Sequence, residues 1–410
     1  MTLEIEERKV GIDELLVGMY VCRLDRPWLG TPFGLQGFVV DSPEQIRTLG
    51  ELCSFVYIDV LKTVDSAINA MNRPAGSKPR PQIWPVRRVH YTDTVALSVE
   101  VPLARAAQEN AEQLARKILD DVRAGRKLSS QVVSDAVVPI VKSVLRSADA
   151  FFWINSLRKK DAYGYSHAIN CSALAAAFGR HMGFPEDALI DLATGGLLLD
   201  IGKAELPEDL LAHPGALSEV QFREVRQHVD HSLRILGEAG IRSDRVHQMV
   251  RTHHERYDGS GYPARLSEAQ IPLFGRMAAV IDSFDAMTSD RVHSKALSRH
   301  AVLQELYGWS DKQYQREIVE QLTQCLGVYP TGSLVELNTG EVAIVMGQNR
   351  TRSLRPRVMV LTDADKTIDS RFRSVDLMTQ AEHEDKENLI YIIRTLDPGS
   401  YGLDPTELYL

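Results

Sequence analysis

From Pro102 to Arg123 the apolar side chains Leu103, Ala107, Ala111, Leu114, Ile118, Leu119 and Val122 recur at three- and four-residue steps. That period predicts an amphipathic helix with Gly125 as its stop. A second helix is expected from about Ser130 to Arg146, and residues 148 to 326 continue as apolar helical segments between polar turns, without an alternating stretch. Both ends have a different texture. Residues 9 to 62 alternate turn signals with short apolar runs, Gly18-Met19-Tyr20-Val21-Cys22 and Phe55-Val56-Tyr57-Ile58-Asp59-Val60, which read as strands. Between them Ser42, followed by Pro43, has the chemistry of a helix N-cap, so a short helix should run to Cys53. After Gly327-Val328-Tyr329-Pro330, the run Ser333 to Met346 reads as strand, tight turn at Asn338-Thr339-Gly340, and strand, and Arg357 to Leu361 supplies a third.

The expected fold class is therefore mainly α, an all-helical core flanked by a small N-terminal α+β domain and a short C-terminal β subdomain. The ranges are 1–66 for a regulatory-type α+β domain, 67–96 for a linker, 97–158 for connecting helices, 159–328 for the helical domain, 329–378 for the β subdomain and 379–410 for a tail. Pro74, Pro79, Pro81 and Pro85 give the linker its extended, exposed character. The tail opens on an acidic run and reads as partly helical, without a place in the fold.

Composition narrows the function classes. With 44% apolar and 25% charged residues over 410 positions, the chain is globular and long enough for two or three domains. A net charge of -8 argues against duplex nucleic acid and against an anionic lipid surface as partners. No run approaches the roughly 20 apolar residues of a membrane span, and the acidic start Met1 to Arg8 lacks a signal-peptide core, so a cytoplasmic location is expected. Cys22, Cys53, Cys171 and Cys325 show no paired spacing, which argues against disulfides and against a cysteine-based zinc site.

Histidine concentrates between positions 167 and 254, at His167, His181, His213, His228, His231, His247, His253 and His254, interleaved with Asp200 and followed by Asp282. Imidazole with carboxylate suits iron, manganese and other divalent ions. No Gly-x-Ser-x-Gly elbow accompanies these histidines, so serine hydrolysis is not supported. His181, His213, His231 and His247 are expected to be structural.

The segment His253-His254-Glu255-Arg256-Tyr257-Asp258-Gly259-Ser260-Gly261-Tyr262-Pro263 carries a more specific signal. With Gly196 to Lys203 before it and Val280 to Arg291 after it, the order of elements over roughly 160 to 330 resembles the HD-GYP family, metal-dependent enzymes that hydrolyse cyclic di-GMP. The resemblance implies an all-helical phosphohydrolase bundle with two divalent metals, iron or manganese favoured. One metal would take His167, Asp200 and Asp282; the other His228, His253 and His254, with Asp200 bridging. It implies catalytic roles for Asp200 and Lys203, and substrate contacts from Gly261, Tyr262, Pro263 and Arg291. Cyclic di-GMP is the implied ligand, a diguanylate cyclase (GGDEF) protein is a candidate partner of the GYP loop, and a homodimer is a candidate assembly. Residues 9 to 62 in turn resemble the small domain often found ahead of HD-GYP domains, through Leu24-Asp25-Arg26-Pro27-Trp28 and Leu35-Gln36-Gly37-Phe38.

Three departures qualify this. Leu199 stands where the family has the histidine of its His-Asp pair, which weakens the first metal site. Tyr163 replaces the glutamate that supports a third metal in some members. Arg291-Val292-His293-Ser294-Lys295 differs from the common Arg-Pro-Tyr-Arg, leaving Lys295 as a substitute contact. The alternative expectation is a catalytically silent receptor for cyclic di-GMP or a partner-binding module.

Overall fold

The computed structural model describes residues 7–26, 38–40, 42–59, 83, 88–156, 163–213, 215, 217–289, 295–349, 354–383 and 389–403. The chain divides into two compact units, 1–80 and 81–410. In the first, strands β1 (Glu7–Gly11), β2 (Tyr20–Leu24), β3 (Phe38–Val39) and β4 (Phe55–Asp59) form an antiparallel sheet of order β1-β4-β2-β3. Helix α1 (Pro43–Leu52) starts as its sequence requires, with the Ser42 hydroxyl accepting from the Gln45 amide at 3.4 Å. Strand alternation turns Val10, Val21, Val56 and Ile58 inward, where they bury against Leu49. Pro27, Trp28 and Leu35 to Gly37 lie outside the described residues, as does most of the Pro-rich linker.

The second unit is helical to residue 326. Helices α2 (Leu97–Arg123), α3 (Ser130–Arg146), α4 (Ala150–Ser156), α5 (Tyr163–Met182) and α6 (Glu186–Leu198) lead into α7 (Glu219–Arg226), α8 (His228–Glu238), α9 (Asp244–Thr252), α10 (Leu273–Met287), α11 (Arg299–Gly308) and α12 (Arg316–Leu326). Helix α2 begins five residues before Pro102. A proline at its sixth position forfeits only one hydrogen bond, to the Ser98 carbonyl, and the buried Glu100 carboxylate compensates by holding Arg146 of α3 through two 2.7 Å bonds. One apolar cluster runs through α2, α3, α5, α6 and α8 to α12, with Phe151, Phe178, Leu192, Leu198 and Leu199 essentially inaccessible.

Two glycines set how closely the site-bearing segments approach. At Gly196 on α6 a Cβ would lie 2.5 Å from the Cys171 carbonyl oxygen of α5. At Gly202, in the 3-10 turn Ile201–Glu205, a Cβ would overlap the His228 carbonyl and sit 2.6 Å from the Ser232 amide. The turn is pinned there by the Ser232 hydroxyl, which accepts from the Gly202 amide at 2.9 Å and donates to the Leu199 carbonyl at 3.2 Å.

Strands β5 (Leu334–Leu337), β6 (Val342–Gly347), β7 (Arg357–Thr362), β8 (Ile368–Asp376) and β9 (Ile392–Leu396) make an antiparallel sheet of order β8-β7-β6-β5-β9. Gly340, at φ 85°, supplies the left-handed residue the β5–β6 turn needs. The sheet runs past residue 378: the stretch read as an unplaced tail contributes a helix, Leu377–His383, and β9, which pairs with β5 and fixes its register with Arg394 against Glu336. No described helix is long and apolar enough to cross a membrane.

Because Gly202 lets the turn after Asp200 lie directly on α8, Gly202→Ala should force the two apart. The expected loss is about 1–3 kcal/mol of stability, as for other overpacked sites, read as a lower urea midpoint at unchanged slope.

Candidate metal centre

The donor residues are brought into one cavity by ordinary helix chemistry. His228 follows α7 closely, and its Nδ1–H donates to the Val225 carbonyl at 2.6 Å; His253 follows α9, and its Nδ1–H donates to the Val250 carbonyl at 2.7 Å. Both acceptors lie in the last turn of a helix, where carbonyls lack intrahelical partners. The same bond fixes the tautomer, so each Nε2 presents a lone pair inward. Asp200 caps the turn after α6, and its Oδ1 lies 3.3 Å from His228 Nε2 and 3.6 Å from His253 Nε2. Its Oδ2 takes Lys203 Nζ at 2.5 Å and lies 3.7 Å from His167 Nε2. On the far side, His167 Nε2 is 3.2 Å from Asp282 Oδ1, and His254 Nδ1 is 3.9 Å from Asp282 Oδ2.

Among the described residues the donors fall into two sets, each with all its ligand atoms within 4.8 Å of one another: Asp200, His228, His253 and His254, and His167, Cys171 and Asp282. Asp200 Oδ1 and the Nε2 atoms of His228, His253 and His254 are buried with no hydrogen-bond partner. Polar atoms left so in a protein interior cost roughly 1–3 kcal/mol each unless something else binds them. A cavity of converging nitrogen and oxygen lone pairs fits a divalent cation.

The charge states agree with that reading. Burial alone would raise the Asp200 carboxyl, but Lys203, then His228 and His253, outweigh it and hold the group well below the usual carboxylate range. Burial, reinforced by His253, keeps His254 well below the ordinary imidazole range and hence neutral. His167 behaves oppositely: burial opposes its charge, yet Cys171, Asp282 and Asp285 together keep its proton well above that range.

A cyclic di-GMP phosphodiesterase of Pseudomonas aeruginosa is 31% identical to this chain over 381 residues, covering 90% of the chain and 89% of the relative. The chain belongs to the HD-GYP family. A cyclic di-GMP phosphodiesterase of Thermotoga maritima is 28% identical over 320 residues, 72% of this chain and 86% of its own. Residues 151–318 match the HD domain, 7–132 a domain of unknown function (DUF3391), and 334–402 a KOW domain associated with HD domain. The KOW match coincides with the C-terminal sheet and, like it, extends past residue 378.

The HD-GYP loop is built around a residue that pattern reading passed over. Glu255 is buried, and its carboxylate accepts from the Ala264 amide at 2.7 Å and the Leu266 amide at 3.0 Å, folding 256–266 back onto the donors. Gly261 is required there, since a Cβ would come within 2.5 Å of Glu255 Cα and the His254 carbonyl. Tyr262 stacks on His254 at 4.6 Å and meets Phe222 edge-on, with the Arg226 guanidinium 4.8 Å over its ring. Burial and the Asp200 and Asp282 carboxylates push its phenol up, so it stays protonated. Pro263 is exposed at the rim, and Lys295 is exposed.

Arg291 and the Tyr163 side chain lie outside the described residues. Leu199 is fully buried among apolar side chains. His181 and His247 have partners of their own, Gln321 and the Ile241 carbonyl. Two further unforeseen residues border the donors. Asp285 holds His167 Nδ1 at 2.7 Å, and Cys171 lies one helical turn beyond His167. The signal for each was spacing: 167 and 171 are four apart, 282 and 285 three apart, so each pair shares a helix face.

Because a ligand must lose its proton to bind a metal, cation binding at the His167 side should release a proton and tighten as pH rises through neutrality. Calorimetric titration with manganese in buffers of different ionisation enthalpy reads this directly. Affinity independent of both pH and buffer would contradict the assignment.

Proposed function

We propose that this HD-GYP protein is a metal-dependent phosphodiesterase that opens cyclic di-GMP to pGpG, with GMP as the product of a second cleavage. The observation that carries the reading is the cavity of buried, unpartnered donors converging on Asp200, on a chain matched over nine-tenths of its length by a relative named for that activity. Divalent metals held there, iron or manganese by donor type, supply Lewis acidity toward a phosphodiester and acidify water.

The chain's own residues do the rest. Asp200 stands between both donor sets, and Lys203 holds its Oδ2 so that Oδ1 stays turned toward His228 and His253. Asp282 and His254 line the opposite wall, and the apolar surroundings exclude bulk water, which strengthens every electrostatic contact inside. Gly261, Tyr262 and Pro263 form the rim assigned to the guanine base, for which Tyr262 offers an aromatic side chain. Arg291 and Lys295 are assigned to its phosphates. The exposed Ser260 and Pro263 of the same loop offer a docking point for a diguanylate cyclase, and the outward Val99 and Leu103 on α2 offer one for a second copy in the cytoplasm.

One observation favours a second reading: Leu199, beside Asp200, is an apolar core residue that brings no donor to the first metal. A protein with only the histidine-rich set filled would bind cyclic di-GMP without turning it over.

A hydrolysis assay on anaerobically purified protein separates the two. Turnover by the wild type, loss of at least a hundredfold in Asp200→Ala, and at most a modest gain in Leu199→His are expected. Activity in Asp200→Ala would sink the mechanism, and turnover confined to Leu199→His would make the wild type a receptor.

A further inference from the structure

The donor set around His167 is short of ligands if only imidazole and carboxylate are counted. Leu199 is hydrocarbon, and Asp200 already serves the histidine-rich set. The Nδ1 of His167 is committed to Asp285, whose other oxygen is held by Asn170 at 2.8 Å, so only Nε2 remains for a cation. Facing that ring is a sulfur. Cys171, fully buried and on the same face of α5, places Sγ 3.7 Å from His167 Nε2.

The spacing matches a coordination polyhedron. Bonds of about 2.3 Å to sulfur and about 2.1 Å to nitrogen and oxygen, at tetrahedral angles, separate sulfur from nitrogen by about 3.6 Å and nitrogen from oxygen by about 3.4 Å. The corresponding separations here are 3.7 Å, from Cys171 Sγ to His167 Nε2, and 3.2 Å, from His167 Nε2 to Asp282 Oδ1. Asp200 Oδ2 stands 3.7 Å from the same nitrogen and completes four donors from three separate segments. A thiol at 3.7 Å gains little as a hydrogen-bond donor, so packing and weak bonding alone do not call for sulfur at this position.

We infer that Cys171 is a metal ligand of this chain, its thiolate closing the donor set of His167, Asp282 and Asp200 beside Leu199. The inference rests on reading the cavity as a metal centre. On binding, the S–H bond breaks, the proton leaves to solvent and the sulfur lone pair is donated to the cation, with no change of oxidation state. A sulfur ligand also changes the preferred ion at this position. Soft thiolate favours zinc or cobalt over manganese, whereas the histidine-rich set keeps its harder preference.

Cobalt(II) titration of the chelator-stripped full chain tests this without using hydrolysis as the readout. The wild type should develop a near-ultraviolet thiolate-to-cobalt charge-transfer band together with visible ligand-field bands. The band should persist when Cys22, Cys53 and Cys325 are all changed to serine. Cys171→Ser should lose it and bind one equivalent fewer, at an unchanged circular dichroism spectrum. Ligand-field bands without the charge-transfer band in the wild type, or a charge-transfer band that survives Cys171→Ser, overturns the role of Cys171 and leaves the metal centre standing. Absence of every cobalt band overturns both.

Discussion

Burying the Asp200 carboxylate costs free energy that only its neighbours can offset, and those neighbours come from distant parts of the chain. Lys203 is local, but His228, His253 and His167 each ride on a different helical segment, and each has a ring nitrogen within 3.7 Å of one Asp200 oxygen. The helices must therefore pack to a fraction of an ångström for the charge to be tolerated. Gly196 and Gly202 make this approach available, because any side chain there would separate the turn after α6 from α5 and α8. Carbonyls in the last turns of α7 and α9 then aim two of the imidazoles by accepting their Nδ1–H groups.

This arrangement satisfies the protein's backbone while leaving its donor atoms unsatisfied. The Nε2 atoms of His228, His253 and His254 and one oxygen of Asp200 are buried without partners, a state that a fold otherwise avoids. Stability and function are in tension here, since the cavity's cost in the empty chain is recovered only on binding a cation. The GYP loop shows the opposite character. Glu255 ties it down through two backbone amides, so the rim of the cavity is anchored as firmly as its floor.

How much of this the sequence disclosed follows from the range of each interaction. Helices α2 and α3 were readable because their apolar stripes are local, and the N-cap at Ser42 because it depends on one hydroxyl. The start of α2 was placed five residues late, since Pro102 reads as a first helical position and its tolerance deeper in the helix depends on tertiary support from Glu100 and Arg146. Strand β9 was invisible for a related reason: its outward Ile393 and Arg394 break the apolar pattern, and it is a strand only because β5 pairs with it from more than fifty residues away. In the site, His167, Asp200, His228, His253, His254 and Asp282 were named through the family pattern and meet in one cavity. Cys171 and Asp285 were not, because cysteine was weighed by its pairing with other cysteines and aspartate by its motif, and neither test asks what shares a helix face.

The account requires two separate cation positions in one cavity, one among Asp200, His228, His253 and His254 and one among His167, Cys171 and Asp282. Anomalous diffraction from crystals of the full chain grown with cobalt locates them directly. Two peaks are expected, each within bonding distance of its own donor set. A single peak at the histidine-rich set, or none within the cavity, would contradict the account.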